Sequence, residues 1–292
     1  MRFKFEKDKV YEMPVFFGPV PVPKNPGPGG RYVHKKPADV EAISVFFETD
    51  SEKLESILPE GFSLNAPVLS VIVCEFGNIG NFAGHTYYLI NISTPVHFDG
   101  SRDHLDGDLI LAMFENHAEP IIGGRDLLGY SKIYADIPRF VKNNNIYKAS
   151  AFSWGFKFMD LSIDLSKPAE HPEKIKRLIA TSKGKFNYKY IQATTDNSDS
   201  KDGFYTAGAD VSYPTFNPKE WKKPDDYPFT LKQAETQFCS GKVKFYCPEF
   251  EDMPTYWHIG QFLSKLEIKS YLGAQHLVYN DPCDYSHVYH LR

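Results

Sequence analysis

Long apolar runs are missing from this 292-residue chain. No stretch approaches the ~18 residues a membrane helix needs, so no membrane span is expected. The segment Met1–Lys9 lacks the apolar core of a signal peptide, which points to a cytoplasmic protein. Cysteine is scarce: Cys74, Cys239, Cys247 and Cys283 are scattered. Their spacing suits neither a disulfide scaffold nor a paired-CxxC zinc site, and free thiols in a reducing compartment are the simplest expectation. Charge of one sign is also missing. Lys and Arg total 33 against 37 Asp and Glu, a net −4, and without a basic tract nothing recruits nucleic acid. No P-loop, dinucleotide fingerprint or Gly-x-Ser-x-Gly elbow occurs, so no cofactor is expected. The Gly27-Pro28-Gly29-Gly30 run is broken by proline and reads as a bend.

Aromatic residues, by contrast, reach 15%. With many Val, Ile and Thr runs they favour a β-rich fold. Residues 14–37 hold Pro14, Pro19, Pro21, Pro23, Pro26, Pro28 and Pro37, so residues 1–37 are expected to form a proline-rich extended arm. Residues 38–292 show no composition break and read as one domain. Strands are expected at Val40–Phe47, Val68–Phe76, Tyr87–Ser93, Leu109–Phe114, Lys132–Ile137, Lys148–Trp154, Gly155–Leu165, Phe186–Ala193, Thr236–Cys247 and Ile268–Tyr279. Helices are expected at 51–58, capped by Asp50, and at Glu170–Ser182. Residues 194–203 read as a polar loop. Many strands with few short helices imply a mainly β (α+β) fold, a large antiparallel barrel or sandwich.

The most informative stretch is Gly124-Arg125-Asp126-Leu127-Leu128-Gly129-Tyr130-Ser131-Lys132. Ile121, Ile122, Leu127 and Leu128 after Pro120 suggest a short helix stopped by Gly129, followed by a lysine at the mouth of an apolar strand. A lysine held out of water loses its proton more readily, and a neutral amine attacks carbonyl carbons. An unshifted lysine is neutral to only about 4 parts in 10,000 at pH 7, so useful catalysis needs a shift of roughly three units. Upstream lie Thr94-Pro95-Val96-His97-Phe98-Asp99-Gly100, Gly107-Asp108-Leu109, and Glu119-Pro120-Ile121-Ile122-Gly123-Gly124-Arg125.

This order and spacing resemble the acetoacetate decarboxylase family, with its Pro-Val-x-Phe-x-Gly turn, Gly-Asp strand and Glu-Pro…Gly-Arg-Glu helix leading into Pro-Lys-Lys. Late segments at Cys239–Phe245, Met253-Pro254 and Lys269–Leu277 match as well. The resemblance implies a cone-shaped β-barrel, usually in a homo-oligomer, with Lys132 as Schiff-base lysine. In that family, acetoacetate decarboxylase itself is the familiar example of a lysine activated by desolvation or a neighbouring cation. By the resemblance, Arg125 is a carboxylate anchor or the partner of an ion pair with Glu119 or Asp126. Glu119 serves the site or the helix dipole. Tyr130, Leu89, His97, Ile133 and His276 are the expected pocket residues.

The chain also departs from the family. Ile133 stands where a second lysine is expected, Ser131 where a proline is, and Leu89 where a pocket glutamate is. Ile72 falls at a second glutamate position, with Glu75 close by, and Arg31 is the nearest candidate for an N-terminal arginine. The function that follows is a Schiff-base lyase decarboxylating a small 3-oxo or 2-oxo acid. The alternatives are aldol or dehydration chemistry through the same imine, and a barrel that binds an apolar molecule without chemistry. A second cation beside the amine would favour decarboxylation; a carboxylate and a tyrosine would favour the alternatives. A metal is not expected, although His97, His104, His117 and Glu115 can be combined on paper and His287 and His290 lie close in sequence.

Overall fold

The computed structural model describes residues 3–7, 9–20, 36–192, 209–216, 222–225, 227–284 and 288–292. The polar loop, the 21–35 stretch of the arm with Arg31, and His287 lie outside them. β-branched and aromatic residues build the long strands: β1 (Ala38–Glu48), β2 (Phe62–Leu64), β3 (Val68–Gly77), β4 (Tyr87–Asp99) and β5 (His104–Glu115). After these come β6 (Lys132–Tyr134), β7 (Val141–Asn143), β8 (Ile146–Ser153), β9 (Phe156–Asp164), β10 (Lys185–Phe186), β11 (Lys189–Gln192), β12 (Ala209–Ser212) and β13 (Pro214–Phe216). Strands β14 (Glu235–Phe245), β15 (Ser270–Asp281) and β16 (Tyr289–His290) close the series. The helices are α1 (Ser51–Glu55), α2 (Ala118–Asp126), α3 (Pro172–Thr181) and α4 (Trp257–Ser264).

A 14-stranded sheet runs in the order β16-β13-β10-β5-β4-β3-β1-β15-β14-β9-β8-β7, with β2 on β4 and β6 on β5; β11 and β12 pair separately. In place of the expected mainly antiparallel barrel or sandwich, the described residues form one large mixed sheet. Both β6 and β10 run parallel to β5. A parallel neighbour needs a crossover, and α2 supplies it between β5 and β6. Among the described residues the ladders do not close. The two arms of the sheet meet at an isolated bridge, where Asp136 and Phe152 exchange backbone hydrogen bonds of 2.8 and 2.9 Å.

The central strands are covered on both sides, which explains their near-continuous apolar sequences. Ile43, Val45, Val71, Val73, Ile90, Ile92 and Phe114 face the main core. On the opposite face Val40, Ala42, Cys74, Phe76, Tyr87 and Leu89 form a second cluster. Asp50 caps α1 as expected, accepting from the Glu52 and Lys53 amides. The Pro-Val-His-Phe segment continues β4 rather than turning. Phe186–Gln192 divides between β10, on the large sheet, and β11. Helix α4 is not foreseen, because Tyr256 precedes it where a capping side chain would have signalled its start.

Candidate active site

β6 places Lys132 beside Met113 and Tyr134 beside Glu115 of β5. Alternate strand positions face opposite sides. Ile133 accordingly enters the main core with Phe114, while Lys132 points the other way. This corrects the expectation that Ile133 walls the amine.

The Lys132 side chain is 9% exposed and Glu115 is fully buried, with Nζ 2.9 Å from Glu115 Oε1. Nζ also donates to the Pro120 carbonyl at 2.9 Å and lies 5.3 Å from the centre of the Tyr130 ring. Both Glu115 oxygens are buried without a well-aligned hydrogen bond among the described residues, so the amine meets Oε1 as an ion pair. Burial pushes the Glu115 carboxyl above its ordinary range, against the pull of the Lys132 charge. Burial likewise raises the Tyr130 and Tyr87 phenols, so both are held neutral.

Two glycines make this geometry. A Cβ on Gly124 of α2 would sit 2.5–2.6 Å from Cδ, Cε and Nζ of Lys132, so only glycine lets the helix lie on the lysine. Gly129 takes a left-handed φ of +77° and turns the chain from α2 toward β6. Its amide returns to the Arg125 carbonyl, and the Tyr130 amide to that of Gly124. The Gly-Arg…Gly-x-x-Lys spacing is thus a device for laying a helix across a buried amine.

Lys132 opens on a cavity of about 580 Å³. Phe76, Ile79, Tyr87, Leu127, Leu128 and Cys283 line it together with residues 12–14 and 17–20 of the N-terminal segment. Cys74 and Cys283 are buried and their thiols are raised, Cys74 to about 12, so neither is a ready thiolate at neutral pH.

The other expected residues are placed as follows. Glu119 is on the cavity lining, exposed and bonded to His117 at 2.8 Å, which lowers its carboxyl. Arg125 donates from Nη1 to the Lys132 carbonyl at 2.8 Å, anchoring the strand instead of pairing with Glu119. Leu89 is buried, directly across the β4–β5 ladder from Glu115. A buried carboxyl thus stands on the strand next to position 89. His97 pairs with Asp106 at 2.8 Å, seven residues down β5 from Met113, or roughly 23 Å of strand, and it is not on the cavity lining. His276 bonds Glu41 at 2.9 Å and packs on Tyr147, away from the cavity lining. The paper metal set is dispersed: His97, His104 and His117 each hold a separate acid, Asp106, Asp99 and Glu119. No cluster of three or more metal-ligating side chains forms among the described residues.

Glu115, Glu12 and Tyr87 escape a reading of the sequence as pocket groups. The parallel β5–β6 pairing holds the signal for Glu115, since it brings the end of β5 beside the start of β6. Glu12 and Tyr87 reach the site only through tertiary packing.

The sequence profile of the acetoacetate decarboxylase (ADC) family matches residues 19–207. An acetoacetate decarboxylase of Burkholderia vietnamiensis is 26% identical over 148 residues, 48% of this chain and 54% of the relative. That of Burkholderia ambifaria is 26% identical over 134 residues, 43% of this chain and 52% of the relative. The alignments span about half the length of these relatives. Among solved structures, acetoacetate decarboxylase of Legionella pneumophila superposes with a TM-score of 0.61 at 16% identity, covering 91% of this chain and 92% of that one. The enduracididine biosynthesis enzyme MppR superposes at 0.56 with 11% identity, covering 86% and 91%. With a profile match across most of its length, the chain belongs to the acetoacetate decarboxylase family.

Proposed function

We propose that Lys132 forms a Schiff base with a carbonyl substrate, and that aldol-type carbon–carbon chemistry or dehydration follows, with Glu115 moving the protons. One observation carries this: the buried 2.9 Å contact between Nζ and Glu115 Oε1 at the wall of an apolar cavity. Charge separation is costly in so dry a setting. Passing a proton from Nζ to the carboxylate leaves a neutral amine and a neutral acid, and burial already biases Glu115 toward its protonated form. The amine then adds to the carbonyl carbon. Glu115 returns the proton as water leaves, and the iminium becomes the electron sink. Glu115 is positioned to take a proton from the neighbouring carbon or hydroxyl. Tyr130, held neutral, packs the face of its ring 5.3 Å from the amine.

Decarboxylation of a small 3-oxo or 2-oxo acid is the second reading, favoured by the names of the Burkholderia relatives. It asks for a cation beside the amine. Among the described lining residues Lys132 is the one cation, and Ile133 faces the core. A carboxylate and a tyrosine stand there instead. A fold neighbour carries the condensation product of pyruvate and an aldehyde, so this fold is compatible with carbon–carbon bond formation. A homo-oligomer, cytoplasmic placement and a barrel-like enclosure of the cavity belong to the same proposal.

Borohydride added with a panel of ketones, aldehydes and oxo acids tests it. The expected result is a reduced adduct on Lys132 by mass spectrometry, with product analysis showing carbon–carbon cleavage or dehydration. Carbon dioxide release without either would select the second reading. Reversible binding of an apolar molecule with no adduct would select the non-catalytic cavity.

A further inference from the structure

The N-terminal segment contributes more than apolar cover to the cavity. Glu12 lies on the lining, and its Oε1 is buried with no hydrogen-bond partner among the described residues. It approaches α2 where a Cβ on Gly123 would be 3.2 Å away, next to the glycine that carries Lys132. Glu119 stands on the same lining, so the cavity presents Glu12 and Glu119 at its wall and Glu115 behind the amine. The rest is dominated by rings and aliphatic groups such as Phe17, Phe76, Phe82, Ile79 and Leu128. At about 580 Å³ the space is of the size that buries drug-sized ligands, far more than a four-carbon acid fills.

A substrate carboxylate entering this space gives up its water in an apolar wall beside the carboxyls of Glu12 and Glu119, which repel it wherever they are ionised. It must either accept that repulsion or force proton uptake. A long apolar body fits instead, and a hydroxyl on it would pair with the Glu12 carboxyl at the wall. We infer that the Lys132 cavity takes an uncharged, hydrophobic ketone or aldehyde and turns away oxo acids, with Glu12 as the residue that sets this choice. The inference rests on the Schiff-base reading and adds the substrate class to it. Burial, with the nearby Asp126 charge second, raises the Glu12 carboxyl.

The test compares matched probes. Octan-2-one and 2-oxooctanoate share a chain and differ by methyl against carboxylate; acetone and pyruvate repeat the pair without the tail. In each case Nζ adds to the carbonyl carbon, water leaves, and borohydride delivers hydride to the iminium carbon. Adduct on Lys132 is counted by mass spectrometry and divided by adduct on free Nα-acetyl-lysine, which removes intrinsic electrophilicity. The folded state of each variant is checked by circular dichroism. The wild type should favour octan-2-one over 2-oxooctanoate by about tenfold or more, and over acetone. Glu12→Gln should narrow the first ratio and Glu12→Lys should reverse it. Equal or better capture of either oxo acid by the wild type overturns the substrate class while leaving the lysine chemistry standing. A ratio unmoved by Glu12→Lys overturns the role of Glu12. No Lys132 adduct with any of the four probes withdraws the Schiff-base reading itself.

Discussion

Replacing Gly124 by alanine separates the position of the amine from the stability of the fold. The added Cβ would sit 2.5–2.6 Å from the last three atoms of Lys132. Ordinary carbon contacts begin near ~3.5 Å, so an overlap of about 1 Å must be relieved. The atoms in the way are the far end of a flexible chain, and they yield before the helix backbone does. Overpacking typically costs about 1–3 kcal/mol, the lower end suiting a chain that can move. Alanine inside a helix returns about 1 kcal/mol relative to glycine. The net change in stability should therefore be small. The amine fares differently: moved by about 1 Å it loses the Pro120 carbonyl and the Glu115 carboxylate together, a displacement worth about 100-fold in rate. Reductive trapping rates on Lys132, with thermal melts alongside, measure both quantities. A Gly124→Ala protein that traps carbonyl compounds within about threefold of the wild type would refute the claim that this contact sets the amine.

Glu115→Gln should slow trapping by about 10²- to 10⁴-fold, the usual worth of a positioned acid–base group, measured as a rate against pH. Ile133→Ser should destabilise the protein by about 3 kcal/mol in denaturant unfolding, because it opens the main core. It should leave the pH dependence of trapping unchanged, since Ile133 and Lys132 face opposite sides. Glu41 is held below its ordinary 4.5, chiefly by its hydrogen bond to His276 and then by Lys142. Its contribution to stability is complete above 4.5 and is lost as pH falls through the lowered folded value. Glu41→Gln should therefore flatten the acid limb of the stability curve, read from urea midpoints between about pH 5 and 2.

The lysine was legible in the sequence because its supports are local: a proline, two glycines and an arginine within a dozen residues. The long strands were legible because burial on both faces writes itself as unbroken runs of Val, Ile and Phe. Glu115 was not. It ends a strand without local distinction, and it matters only because α2 returns the chain parallel to that strand. Ile133 looked like a lost lysine's replacement beside the amine, yet the two-residue alternation of a strand turns neighbours apart. His97 and His276 were drawn in by sequence proximity to family motifs, whereas each is occupied by an acid of its own, Asp106 and Glu41. Helix α4 carries no capping residue, and the split between β10 and β11 depends on partners distant in sequence.

The walls around the amine come from residues 12–20, from β3 and β4, from α2, and from Cys283 near the other end of the chain. Such a chamber is completed only after contacts of large sequence separation have formed, and contacts of that kind form late. Lys132 is therefore a built-in clock for assembly: reagents for primary amines should reach it in partly folded chains and lose it as the last wall seats. In the native protein its labelling rate reports whichever wall opens most easily. Residues 12–20, none of them buried, form a segment that loosens with a smaller free energy than the sheet beneath it.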